Sequence, residues 1–561
     1  MKTKKLHICI VSFLITLIIV ALPLLASCSS TTATPSRLTV GMANTTPHLN
    51  LLIPKGQHLP YRRLMYEPLL NIEADGSLSP RLAKSWSWDL ATKTWTFNLR
   101  NDVKWHDGEP FTSADVKATY DLAMELGGMY KQTWAGDVAT DGCTIVDDHT
   151  IQFTLKEAYE WWPSNFREER SDIIPAHIWL EKDLDEWLNM DNPIGTGPFK
   201  YKEGDWLTYS LFEKNTDYWG GAPKIDEVLL KEYANLEAEI LAFKAGEIDA
   251  ISGKTMRNPA SIATLLADPA IEVALNDQNR YDQLRVNMYH YPNNVTNFRQ
   301  ALSYAIDREE ICEVVYHNYA SPAPQVPYVP SALQNTDAIV WPGADMTDAE
   351  RIAEANLLLD GLGYVDTADE GTTRNGPMGA DGVTGDLEFT LLTGTISSHV
   401  RAAEIVQKNM EDIGIKVNHQ TMSFSALFAK IKNQASDWDW YLGGHGQPIS
   451  WDAGFAGYFN DPDDWSSTFI AGPIGFNEPV LQGKMTESLT ASGAARAALI
   501  AEIQVLWAAY LPMIPVHTTN TAAVYRTDNL TGWDLEAQAG PPPSALEPLH
   551  YRNLLKLKPA E

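Results

Sequence analysis

One apolar run constrains this chain more than any other feature. It extends from Leu6 to Leu25, follows the basic residues Lys2, Lys4 and Lys5, and ends in Leu25-Ala26-Ser27-Cys28. A basic flank, an apolar stretch, small residues and then a break is the layout of an export signal. At about 20 residues the run is also long enough to cross a bilayer as an uncleaved anchor. Its terminal position and the small residues before Cys28 favour removal of residues 1–27. In either case the basic flank stays inside and the rest faces outward. No later segment is apolar enough for a second span, so the chain beyond Cys28 must fold as a body surrounded by water. Residues 28–36, rich in Ser and Thr with Pro35, read as a flexible tether.

A chain of 561 residues exceeds what one hydrophobic core organises, which predicts two or three domains. Its net charge is −29, and loss of the three lysines of the signal makes the body more acidic still. That opposes nucleic-acid binding, which needs a basic surface. Of four cysteines, Cys9 lies in the apolar run and Cys28 ends it. Cys143 and Cys312 remain, on a strand-like and a helix-like stretch. Pairing would need their Cα atoms within about 7 Å, and two buried free thiols are the expectation. Eighteen tryptophans could offer a stacking surface, although most must pack the core.

Periodicity sketches the elements. Trp95-Thr96-Phe97-Asn98-Leu99 alternates like a half-buried strand, and Asp75-Gly76 marks a hairpin turn. Thr112 reads as a helix N-cap, with Asp115 completing a capping box. Leu236, Ile240, Leu241 and Phe243 predict one buried face on a helix over 237–245. Leu284–Met288 reads as a strand. Further on, Leu387–Leu392, Val400–Ile413 and Ile415–Gln420 read as strand, helix and strand, which predicts a parallel pair covered by a helix. Residues 364–386 are rich in Gly, Asp and Thr and read as a surface loop.

The sequence contains no HExxH, no paired CxxC, no phosphate-cradling glycine loop and no GxSxG elbow. No two of the 13 histidines stand at i and i+4. These absences predict a protein that is not an enzyme and holds no cofactor or metal of its own.

From Tyr66 onward the chain resembles the extracytoplasmic solute-binding proteins of oligopeptide, dipeptide and nickel ABC transporters (bacterial extracellular solute-binding proteins, family 5). The resemblance rests on Tyr66-Glu67-Pro68-Leu69, Pro80-Arg81-Leu82-Ala83, Trp105-His106-Asp107-Gly108 and Pro110-Phe111-Thr112-Ser113-Ala114-Asp115-Val116. Gly195-Thr196-Gly197-Pro198-Phe199, Asn215, Tyr218-Trp219, Gly246-Glu247-Ile248-Asp249, Arg299, Asp307-Arg308 and Leu511-Pro512-Met513-Ile514-Pro515 follow in family order. Leu25-Ala26-Ser27-Cys28 likewise resembles a bacterial lipoprotein signal, which implies lipidation of Cys28. Read residue by residue, most of these motifs are turns and packing positions. Gly195 and Gly197 suit close backbone approach or unusual dihedrals, and His106 suits a hydrogen-bonded turn.

The resemblance implies an α/β fold of two lobes, periplasmic-binding-protein-like (class II), with an extra subdomain on the first lobe. Residues 37–283 and 518–561 would form lobe I, with its subdomain at about 68–192, and 284–517 would form lobe II. Two strands near 281–288 and 514–519 would cross between them. It further implies a monomer, anchored to the cell membrane, that captures oligopeptides or dipeptides and delivers them to ABC permease and ATPase subunits. In peptide-binding relatives an aspartate that pairs with the peptide amine follows a Phe-Asp or Tyr-Asp pair by about nine residues. The matching pair here is Trp438-Asp439, which puts Gln447 or Pro448 at that place, with Asp452 four residues further on. A desolvated ammonium without a carboxylate is costly. His445, Gln447 and Trp451 would instead offer hydrogen bonds and stacking to an oligosaccharide or another neutral ligand, with Gly444 and Gly446 letting backbone groups reach it; nickel or a metal chelate is a further alternative. Asn44, His48, Trp134 and Trp162 are the candidates from lobe I. The reading from another class is a sensor or chaperone-like binder without a dedicated permease.

Overall fold

Strands from both ends of the chain meet in one large mixed sheet. The computed structural model describes residues 35–43, 49–52, 59–73, 77–127, 130–131, 134–166, 171–184, 186–251, 265–324, 340–364, 373–374, 376, 386–432, 438–446, 475–476, 478–534 and 548–560. In chain order, the first elements are β1 (Arg37–Ala43), β2 (Ala83–Asp89), β3 (Thr94–Leu99), α1 (Ser113–Leu126), β4 (Val138–Asp147) and β5 (Thr150–Leu155). Next come β6 (Phe199–Gly204), β7 (Tyr209–Lys214), β8 (Glu227–Tyr233), α2 (Leu236–Lys244), β9 (Ala250–Ile251) and β10 (Ile271–Val286). The remainder includes α3 (Thr296–Ala305), α4 (Asp348–Gly361), β11 (Glu388–Thr393), α5 (Ser397–Glu411), β12 (Lys416–Thr421) and β13 (Trp440–Gly446). α6 (Pro479–Ser488), α7 (Gly493–Tyr510) and β14 (Ile514–Arg526) complete the set.

The large sheet runs β12-β11-β13-β10-β14-β9-β1-β8-β7-β6, and the short strand Ala320–Pro322 also pairs with β14. β10 and β14 lie at its middle and pair antiparallel from Ile271↔Arg526 to Leu284↔Ile514. They pass from one hydrophobic core to another. Ala523 and Tyr525 of β14 pack with Leu38, Val40 and Phe212. Leu284 and Val286 of β10, with Ile514 and Val516 of β14, pack with Leu391, Val406 and Trp440. This is a two-lobed α/β fold with two strands passing between the lobes.

Local expectations are met where the signal was local. Thr112 and Asp115 form both halves of the capping box on α1. β11, α5 and β12 form a parallel unit in which Glu388 registers with Lys416. Short strands Leu70–Ile72 and Leu78–Pro80 pair antiparallel on either side of the anticipated 75–76 turn. On α2, Phe243 is buried but Leu241 is 69% exposed, because a residue five positions past Leu236 has turned about 140° away from it. Cys143 and Cys312 are free and buried, and burial pushes both thiols up to about 12.

The subdomain is a four-stranded sheet, β2-β3-β5-β4. β3 and β5 both alternate half-buried and buried residues. Their inward faces meet an aromatic cluster in which Phe97, Trp134, Phe153, Trp162 and Phe166 contact one another edge-on or tilted at 4.9–6.4 Å. Each such ring pair adds about 0.5–1.5 kcal/mol beyond area burial.

Candidate functional site

The crossing strands set the geometry of the site. β10 is flanked by β13 on one side and β14 on the other, so Asp282 faces Gly444 across one ladder and His517 across the other. The β10–β14 register slips between Asp282 and Gln283, a bulge that re-aims side chains at that level. Asp282 and His517 are 1% and 0% exposed. Nε2 of His517 lies 2.7 Å from Oδ2 of Asp282, and Nε2 of His399, on the first turn of α5, lies 3.4 Å from Oδ1. Tyr316 donates its hydroxyl to Oδ2 at 3.1 Å, and its ring centroid is 4.3 Å from that of His517. Burial works to raise the Asp282 carboxyl, but the facing His399 and His517 outweigh it and hold the group well below the usual carboxylate range. Sequence reading missed this cluster. Its members lie far apart in the chain, on β10, α5 and β14, so no local pattern joins them.

Gly444, His445 and Gly446 form the end of β13, beside Asp282, Tyr281 and Arg280 of the crossing strand. A side chain at Gly443 would meet the Tyr441 hydroxyl at 2.0 Å, so the Tyr441 ring in its present place requires the absence of one. The preceding Trp438-Asp439 pair anchors this strand. The Asn287 backbone N–H donates to the Asp439 carbonyl at 2.7 Å and its side chain to the Trp438 carbonyl at 3.1 Å. The Asp439 carboxylate takes the Thr390 backbone N–H at 2.8 Å and lies 3.1 Å from His290 Nδ1. Asp439 therefore fixes the start of β13 between β10 and β11. Gln447, Trp451 and Asp452 lie outside the described residues, as do Asn44, His48 and Cys28.

Trp134 and Trp162 belong elsewhere. Both are 0% exposed in the aromatic cluster, and the Trp162 indole donates to the Trp134 carbonyl at 3.1 Å. With no exposed surface and a satisfied indole, Trp162 packs the subdomain, and Trp134 packs beside it. Neither has a face to offer a ligand.

The sequence model of the bacterial extracellular solute-binding proteins, family 5 Middle, matches residues 77–467. The chain belongs to this family. It is 27% identical over 417 residues to the nickel-binding periplasmic protein of Escherichia coli K12, covering 72% of this chain and 74% of that protein. It is 29% identical over 367 residues to the oligopeptide-binding protein AppA of Bacillus subtilis, covering 61% and 60%. Among solved structures it is similar to AppA of Bacillus subtilis in complex with a nonapeptide. That likeness has a TM-score of 0.71 at 22% identity and covers 94% of this chain and 100% of the other. It is also similar to NikZ of Campylobacter jejuni with Ni(L-His), with a TM-score of 0.69 at 21% identity, covering 89% and 96%.

In this family-5 chain the shared motifs hold the frame. Glu67, fully buried, accepts from Tyr218 at 2.8 Å and from Trp219 at 3.0 Å, and pairs with Arg81 at 3.0 Å. His106 accepts from the Gly195 N–H and donates to the Gly197 carbonyl. A side chain at Gly195 would meet the Met65 carbonyl at 1.8 Å, so close approach is what requires this glycine. Arg299 donates to the carbonyls of Tyr510 and Leu511 at 2.6 and 2.9 Å. That clamps Leu511 in a left-handed conformation (φ 50°) which non-glycine residues adopt only when surroundings enforce it. Arg308 donates to the Pro515 carbonyl at 3.0 Å. The two arginines thus fix how α7 feeds into the crossing strand β14.

Proposed function

We propose that this chain is the ligand-capturing component of an ABC importer, carried outside the cytoplasm on a lipid at Cys28, and that it binds oligopeptides or dipeptides. The observation that carries the reading is the pair of crossing strands joining two separately cored lobes. Residues 37–283 and 518–561 form lobe I and 284–517 form lobe II in this reading. A ligand that touches both lobes makes its extra contacts only when they close. It therefore shifts the open–closed equilibrium without any chemical step. A micromolar dissociation constant, about −8 kcal/mol, is enough for capture. The end of β13 and the loop through 447–452 supply the grip from lobe II. No group is assigned to bond making or breaking, and release to the permease follows reopening.

The second reading is a nickel chelate. It is favoured by the relative described as nickel-binding and by Gln447-Pro448 standing where an amine-pairing aspartate is expected. Melting of the protein from residue 28 onward, against peptides, oligosaccharides and nickel–histidine, separates the readings, since binding to the folded state raises the melting temperature by mass action. Stabilisation by peptides supports the first reading. Stabilisation by nickel–histidine alone replaces it with the second, and turnover of any ligand overturns the binding role.

A further inference from the structure

Away from the crossing strands, the subdomain meets the segment around α6 and α7 in a small contact. The Glu160 backbone N–H donates to the Leu489 carbonyl at 3.2 Å. The Trp161 indole donates to the Ala491 carbonyl at 3.3 Å. The Arg496 guanidinium stacks 4.0 Å from the centroid of the same indole. The partners are more than 300 residues apart in sequence, so chain proximity does not explain their meeting.

Both sides of the contact are rooted in rigid structure. Trp161 immediately precedes Trp162, which is locked in the aromatic cluster. Arg496 is 6% exposed on the first turn of α7, and α6 and α7 share a core containing Leu481, Ile500, Ile503 and Trp507. Such a contact forms at one orientation of its two supports and breaks at others.

We propose that Glu160–Trp161 and Leu489–Arg496 form a latch that holds the lobes closed. The proposal rests on the two-lobed capture reading. A desolvated cation–π contact with two hydrogen bonds is strong enough to bias closure and weak enough to open. Apparent affinity is the intrinsic affinity reduced by the fraction in the competent state. The latch therefore tightens the hold on any ligand without touching it, and its release speeds unloading.

The test compares the wild-type body with Trp161→Ala, Trp161→Phe and Arg496→Gln by small-angle X-ray scattering without ligand, after far-UV circular dichroism has verified folding. Trp161→Phe and Arg496→Gln keep most of the packing volume should Trp161→Ala fail to fold. The closed-to-open ratio is expected to fall about tenfold, equivalent to 1.4 kcal/mol, with a larger radius of gyration. Dissociation constants for a nonapeptide and for nickel–histidine are measured in parallel. Folded variants whose ligand-free scattering matches wild type overturn the latch. Weaker binding with unchanged scattering also overturns it and makes Trp161 a ligand contact. Failure of wild type to bind either probe sinks the capture reading alone, because the scattering arm needs no ligand.

Discussion

His106 shows how a single residue ties stability to pH. Its Nδ1 accepts the Gly195 N–H at 3.3 Å and its Nε2 donates to the Gly197 carbonyl at 3.0 Å, so the ring is needed neutral. A second ring proton would point at a backbone N–H. Burial pushes the group from its ordinary 6.5 down to about 4, against the raising effect of the Gly197 bond. A base with a depressed folded value binds its proton more readily in the unfolded chain. Its stabilisation is therefore complete above about pH 6.5 and is lost as pH falls toward 4. The full span amounts to about 3 kcal/mol. Urea unfolding of wild type and His106→Gln at pH 7 and 4.5 reads this directly. The variant, which cannot titrate there, is expected to lose less stability over that interval, and an equal loss in both would refute the assignment.

At the scale of elements, β10 and β14 join at a buried charge cluster. Replacing Asp282 by Asn leaves His399 and His517 facing a neutral amide where a carboxylate stood 3.4 and 2.7 Å away. Breaking a buried pair in this way costs about 3–5 kcal/mol, so the urea midpoint is expected to drop sharply; a change within about 0.5 kcal/mol would show that the cluster is incidental. Because the Asp282 carboxyl is held below its ordinary 3.8, its contribution is present above that pH and is lost as pH falls further. Asn removes this acid limb. These elements also show what a sequence discloses. The capping box of α1 and the parallel unit β11-α5-β12 were legible because their signals lie within a few turns of chain. Most of β10 was not. Asn276-Asp277-Gln278-Asn279-Arg280 has no apolar alternation, and of these residues Asn276 and Arg280 pair with β14 while Arg280 also pairs with β13, across an irregularity between them. The Asp282–His517 pair spans more than 200 residues and leaves no local trace. On the other side, Trp134 and Trp162 looked like stacking candidates because composition does not say which face an aromatic turns.

For the molecule as a whole, charge and attachment pull in opposite directions. The chain carries a net charge of −29, and in the proposed role removal of residues 1–27 with their three lysines would deepen it. An anionic membrane surface repels such a body, so electrostatics alone would not keep a receptor beside its permease. In the proposed role a covalent tether at Cys28 would have to do so. One acyl chain supports only marginal membrane binding, whereas two or more give stable anchoring. The expected outcome follows from this imbalance. Wild type expressed in a bacterium with a lipoprotein pathway partitions into the detergent phase on Triton X-114 separation and shows a mass shift at its N-terminal cysteine. Cys28→Ala carries no such mass and, once its signal is cleaved, partitions into the aqueous phase. Detergent partitioning of a cleaved, unlipidated Cys28→Ala body would mean that the folded lobes themselves hold the membrane, and would overturn the tether.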